Sequence, residues 1–157
     1  MAVLSDYTYL GESNGWGTGS EFGAPFVIGD ASGGRFTRKF STGGVRGNAP
    51  ALLTMMVRGL KDGTARVAIE TPNTQFLDPT FAPDGEFFLG RISRQAPTTI
   101  EDEWHQQNFT IPSGILSGGN DANTLIIGRV PSVPPTPGRF DDFEVRDIYV
   151  FFKQDDD

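Results

Sequence analysis

Cysteine is absent and histidine occurs once, at His105. The first absence removes disulfides, thiolate nucleophiles and thiolate metal sites together, while leaving the compartment open. The second removes multi-histidine zinc centres and leaves one imidazole to serve any base-assisted nucleophile. No apolar run approaches the roughly 20 residues of a membrane-spanning helix. The opening residues, MAVLSDYTYLGES, lack the basic start and apolar stretch of a secretory signal. Basic clusters are missing too. Thirteen Lys and Arg are scattered against twenty Asp and Glu, a formal charge of −7, so attraction to nucleic acid is not expected. These gaps predict no enzyme, no nucleic-acid partner and no membrane partner, and they leave localisation unassigned.

Glycine and proline, in contrast, are plentiful: twenty and eleven in 157 residues, with thirteen phenylalanines supplying much of the apolar content. One domain is the simplest reading of that length, which lets about 70% of the unfolded surface be buried. Between the glycines and prolines the apolar pattern has period two. In TARVAIE, Ala65, Val67 and Ile69 share one face and Arg66, Ala68 and Glu70 the other. In LLTMMVRG, Leu53, Met55 and Val57 oppose Thr54 and Arg58. The Asp62-Gly63 pair between these runs is a hairpin signal. Further strands are expected at 36–40, 86–92, 108–112, 124–130 and 143–152, with shorter ones in DYTYL and FVI. A competing helix is TTIEDEWHQ, where Thr98 and Glu101 have capping-box spacing and Ile100 and Trp104 lie one turn apart. In FEVRDIYVFF, Val145, Ile148, Val150 and Phe152 share a face only if a β-bulge at Arg146-Asp147 absorbs one residue. Many short strands with Gly- and Pro-rich turns define an all-β chain: an antiparallel β-sandwich or jelly roll of about eight strands with an N-terminal Gly-rich extension. The closing KQDDD reads as a small solvated acidic tail.

From Ala51 onward the signals run in a particular order. Two strands come first, then a loop and Trp104, then the strand-and-turn run FTIPSGILSGGNDANTLIIGRV, and last FDDFEVRDIYVFFK. This series resembles the galactose-binding-like jelly-roll superfamily, the β-sandwich of carbohydrate-binding modules. The resemblance divides the chain into 1–50, strands and a Gly-rich arm that pack on or extend the domain, and 51–157, the jelly-roll core with its acidic tail. It implies a fold shared by carbohydrate-binding modules, accessory domains of hydrolases, cell-surface proteins and phage tail or capsid components, so function must be argued from the site. Sugar-binding members use aromatic and polar residues in loops at one end. The matching loops here, PNTQFLDPTFAPDG and VPSVPPTPGRF, lack an obvious set of that kind. Many members also hold a structural calcium, for which the resemblance points to Asp141, Asp142 and Glu144. That segment reads equally well as a solvated strand entry, and no other cofactor is expected.

The loop GESNGWGTGSEFG contains a G-x-G-x-G run from Gly15 to Gly19. A phosphate-binding loop would need a lysine, a following Ser or Thr and a helix, and Glu12 and Glu21 oppose phosphate. Ordering so many glycines is costly unless contacts hold them. The segment therefore reads as a docking or packing arm. Asn14, Trp16 and Phe22 are its interface or ligand-stacking candidates, joined by Trp104 and His105 further on. Trp16 has three roles open: stacking on a sugar, filling a pocket on a neighbouring subunit, or covering its own core. Trp104 reads first as packing on the sandwich, and His105 as a surface or loop residue. Glu101, Asp102 and Glu103 read as a polar loop rather than a glycosidase pair. The expected function is a non-enzymatic structural or interaction protein, a homo-oligomeric subunit of an assembly such as a virus particle, capsid-decorating or tail-associated. The alternative is a carbohydrate-binding module that recognises glycans through loop aromatics.

Overall fold

The alternating runs become paired strands. The computed structural model describes residues 3–10, 26–28, 35–60, 65–80, 82–92, 103–129 and 143–155. Within them lie β1 (Val3–Tyr9), β2 (Phe26–Ile28), β3 (Arg35–Phe40), β4 (Ala51–Arg58), β5 (Ala65–Glu70), β6 (Glu86–Arg91), β7 (His105–Ile111), β8 (Asn123–Arg129) and β9 (Phe143–Asp155). One sheet has the order β1-β9-β4-β7, with β2 pairing the start of β9; the other has the order β3-β8-β5-β6. All the pairings are antiparallel. The chain is an all-β sandwich. Its core sits between the sheets, where Leu53, Met55 and Val57 of β4 and Val150 of β9 meet Val67 and Ile69 of β5 and Leu125 and Ile127 of β8. β1 is an integral edge of the first sheet, paired with β9 from Tyr149 to Asp155.

β9 contains the bulge its pattern requires. Thr54 faces Tyr149 whereas Met56 faces Arg146, so β9 carries one residue more than β4 across that step. Asp147 takes a φ of +51°, a left-handed conformation that a short polar side chain tolerates better than most. Val145, Ile148, Val150 and Phe152 all reach the core as a result.

Three expectations are corrected. The Asp62-Gly63 signal does not pair β4 with β5, because β4 lies between β9 and β7 while β5 lies between β8 and β6. Local turn chemistry names a change of direction, whereas the partner is chosen by which faces are buried; residues 61–64 themselves lie outside the described residues. The helix over TTIEDEWHQ is overridden at its end, where His105 and Gln106 pair with Val57 and Met56. Residues 98–102 lie outside the described residues. The acidic tail is strand as far as Asp155. Arg46 N–H donates to the Lys153 carbonyl at 2.8 Å, and Asp155 N–H to that of Gly44 at 3.1 Å, extending β9 along 44–46.

One end of the sandwich is tied by side chains instead of strands. Asn123, fully buried, donates through Nδ2 to Thr42 Oγ1 at 3.1 Å and to the Ser117 carbonyl at 3.0 Å, and accepts from Ser117 N–H at 2.8 Å. Thr42 Oγ1 in turn donates to the Ser117 carbonyl at 3.0 Å. Thr71 Oγ1 donates to the Ile115 carbonyl at 2.6 Å and Asn73 Nδ2 to that of Leu116 at 3.1 Å. Irregular backbone can be buried only when its polar groups are met in this way.

At one margin, β6 closes onto β7 of the opposite sheet. A Cβ on Gly90 would stand 3.0 Å from two ring carbons of Phe109, so the missing side chain permits the approach. Gly90→Val is expected to cost about 1–3 kcal/mol by overpacking, read as a lower midpoint in thermal or urea unfolding. Arg38 is an exception to inward apolar patterning: it alternates with Phe36 and Phe40 on the core side of β3 and is buried. Burial pushes its guanidinium below the usual range, with Asp121 opposing the shift.

Candidate binding face

The outward residues of the five-stranded sheet follow from the register. β1 and β9 place Tyr7 opposite Phe151 and Tyr9 opposite Tyr149. β4 adds Leu52 beside Phe151 and Thr54 beside Tyr149, and β7 adds Thr110 beside Leu52 and Asn108 beside Thr54. Four rings therefore form a ladder: Tyr9–Tyr149 centroids are 4.8 Å apart, Tyr149–Phe151 5.8 Å, Tyr7–Tyr149 5.9 Å and Tyr7–Phe151 6.1 Å. Such contacts add to simple burial; Tyr9 and Tyr149 are half-buried, while Tyr7 and Phe151 stay open to solvent. Tyr7 is 59% exposed, Phe151 43% and the adjoining Leu52 40%. A trough of about 430 Å³ crosses this face, with Tyr7, Leu52, Thr110, Phe151 and Lys153 in its lining. Lys153 Nζ donates to Ser5 Oγ at 2.6 Å.

Below the ladder the same face becomes charged. Arg58 Nη2 donates to Glu144 Oε2 at 3.0 Å, and Arg146 Nε lies 3.4 Å from Asp147 Oδ2. Trp104, directly before β7, lies between these arginines, with Arg58 Cζ 4.6 Å and Arg146 Cζ 4.2 Å from its ring centroid. Both pairs are about a third exposed, and such pairs contribute about 0–1 kcal/mol each.

The candidates named from sequence are scattered by this arrangement. Asn14, Trp16 and Phe22 lie outside the described residues. Trp104 is held by guanidiniums on the outer face. His105 opens β7 opposite the buried Val57, half-buried rather than in a loop, and its ring nitrogens have no hydrogen-bond partner among the described residues. Asp141 and Asp142 lie outside the described residues. Glu144 is already engaged by Arg58, which draws its carboxylate away from a cation. Among the described residues no three His, Asp or Glu side chains gather as a metal site requires. Sequence reading missed Tyr7, Tyr9, Tyr149 and Phe151. The signal was present: each pair is spaced by two, and a bulge at Asp147 turns Tyr149 and Phe151 away from the core.

An antiparallel β-sandwich with an open aromatic face defines the chain's class. Neither a protein-family model nor a curated protein matches its sequence. Among solved structures it is similar to the K1 cleaved adhesin domain of Lys-gingipain from Porphyromonas gingivalis W83, 11% identical over 96% of this chain and 98% of that one, with a TM-score of 0.38.

Proposed function

We propose that the chain is a non-enzymatic interaction protein, a subunit of a multimeric assembly, whose contact surface is the outer face of the five-stranded sheet. The observation that carries this is the ladder of Tyr7, Tyr9, Tyr149 and Phe151, continued by Leu52, on the solvent side of paired strands. Contiguous exposed apolar surface marks interaction sites, and aromatic side chains are their usual anchors. The virion role expected from sequence, capsid-decorating or tail-associated, is one form of such an assembly. It is supported by composition and by the resemblance to galactose-binding-like jelly rolls, a superfamily that includes such components. Glycan recognition through loop aromatics finds little support in Trp104, whose ring is flanked by Arg58 and Arg146.

The contact surface is tested with the double variant Tyr7→Ser/Phe151→Ser. Neither ring belongs to the core, Tyr7 being 59% and Phe151 43% exposed, so its unfolding temperature is expected to stay within a few degrees of wild type. It is expected to lose association, read as a lower solution mass. An unchanged solution mass contradicts the assignment. The assembly itself is tested by light scattering, where the intact chain is expected as a multimer and a monomer at every concentration contradicts that part. Removing residues 1–23 would be a poor probe of the Gly-rich arm, because it strips β1 from β9. Trp16→Ala probes it without that loss.

A further inference from the structure

We infer that the partner of this face is a second copy of the chain, docked face to face about a two-fold axis that runs parallel to the strands, between β9 and β4; the inference rests on the contact-surface reading above. The register gives the rows that such an axis brings together. One reads Tyr7, Phe151, Leu52, Thr110 and the next Tyr9, Tyr149, Thr54, Asn108. At the charged end, Glu144 stands beside Arg58.

Rotation about that axis keeps each row at its own level and reverses the order of the strands, so β9 lies over β4 of the second copy and β1 over its β7. Sheets pack face to face with their strands within about 30° of each other, which this arrangement respects. Each row is asymmetric in the way the rotation demands. Phe151 lands on Leu52 of the second copy, and Leu52 on its Phe151, apolar on apolar. Tyr7 and Tyr9 land on Thr110 and Asn108, where their phenol groups meet a hydroxyl and an amide. Glu144 lands on Arg58 and Arg58 on Glu144, so the ion pair of 3.0 Å within each copy becomes a ring of four alternating charges. Arg146, stacked on Trp104, lands on Met56 and meets no like charge. The trough of about 430 Å³ has Phe151 and Leu52 in its lining and so straddles the axis, where the same two side chains of the second copy fill it.

Two copies must also approach against repulsion, because the chain carries −7. Around the rings the charges cancel: Arg58, Arg146 and Lys153 are matched by Asp6, Glu144 and Asp147. Asp6 and Lys153, which both line the trough, are met within their own chain. Asp6 Oδ1 accepts from Tyr7 N–H at 2.8 Å, and Lys153 is held by Ser5. Four strands wide and reaching from Glu144 to Lys153, the face measures roughly 19 by 30 Å. That is close to the roughly 600 Å² per copy at which specific interfaces begin.

The test is a charge exchange in the full chain, read by solution mass. Arg58→Glu makes the ring four negative groups and Glu144→Arg makes it four positive ones. Each variant alone is therefore expected to associate about tenfold more weakly than wild type, or worse. Mixed in equal amounts, the two restore opposite charges at every contact of the ring, and a pair of wild-type mass is expected. A mixture no heavier than its components, or variants as associated as wild type, overturns the inference. The double variant Tyr7→Ser/Phe151→Ser is measured alongside. If it lowers the mass while the mixture stays light, the face associates in another arrangement, and the contact-surface reading survives. If it keeps the wild-type mass, or wild type is a monomer throughout, both fall. Arg58 and Glu144 are about a third exposed, so both charge variants are expected to fold. Should either fail, Thr110→Arg takes its place, at an exposed position under Tyr7 of the second copy; a lower mass is expected, and an unchanged one overturns the inference.

Discussion

Deleting Tyr149 is expected to abolish cooperative folding, whereas deleting Asp147, two positions earlier, is expected to leave the sandwich intact. The difference comes from the bulge. Asp147 is the extra residue of β9, so its removal leaves Val145, Arg146, Ile148 and Tyr149 in strict alternation against Val57, Met56, Met55 and Thr54. What is lost is a weakly contributing ion pair with Arg146 and one residue held at positive φ.

Deleting Tyr149 has no such remedy. If the bulge stays, Val150 and Phe152 turn outward and Lys153 turns toward the core. If the bulge is consumed instead, Asp147 turns inward and Ile148 outward. In the first case Phe151 takes the place of Val150 and Lys153 that of Phe152, so overpacking costs about 1–3 kcal/mol and the lost burial of Phe152 about 1.5–3 kcal/mol, before the cost of a buried charge. A domain of ordinary stability has about 5–15 kcal/mol to lose. Thermal unfolding of both deletion variants checks the account. A folded Tyr149 deletion, or an unfolded Asp147 deletion, contradicts the register.

Asn123→Leu is expected to cost about 3 kcal/mol and lower the unfolding temperature by about 6–12 °C. Leucine fits the volume but cannot accept from Ser117 N–H or donate to Thr42 Oγ1 and the Ser117 carbonyl. Leaving buried groups unmet costs more than a hydrogen bond ordinarily contributes. The segment 112–122 depends on this amide to lie against β3 and β8. Asn120→Ala is the control: among the described residues its carboxamide accepts from Ser41 Oγ at 3.1 Å in a solvent-exposed hydrogen bond, so a change within about 0.5 kcal/mol is expected. Equal losses for the two variants would show that Asn123 is not the tie.

Much of the core was legible in sequence, and so was the irregularity in β9. Leu53, Met55 and Val57 alternate without interruption, and Val145 with Ile148 breaks alternation by one residue, which only a bulge repairs. Partner choice was not legible. Asp62-Gly63 marks a turn but says nothing about which sheet receives the next strand, and β5 goes to the second sheet because its faces are matched there by Leu125 and Ile127. The candidate face was hidden for the same reason. Tyr7 meets Phe151 only because β1 pairs with the far end of the chain. In isolation, outward aromatics in a strand look like ordinary strand propensity. Arg38 was hidden differently, since its position in FTRKF alternates inward and only the three-dimensional neighbourhood accommodates a guanidinium there.

The central claim is that recognition belongs to one sheet face rather than to exposed aromatics in general. Phe76 makes the sharpest comparison, being 90% exposed on the 3-10 turn Thr74–Phe76, which follows β5 of the other sheet. The measurement is association of Phe151→Ala and Phe76→Ala side by side, by solution mass across a concentration series. The account predicts that Phe151→Ala loses association about tenfold or more while Phe76→Ala matches wild type. Loss in Phe76→Ala with none in Phe151→Ala would contradict it.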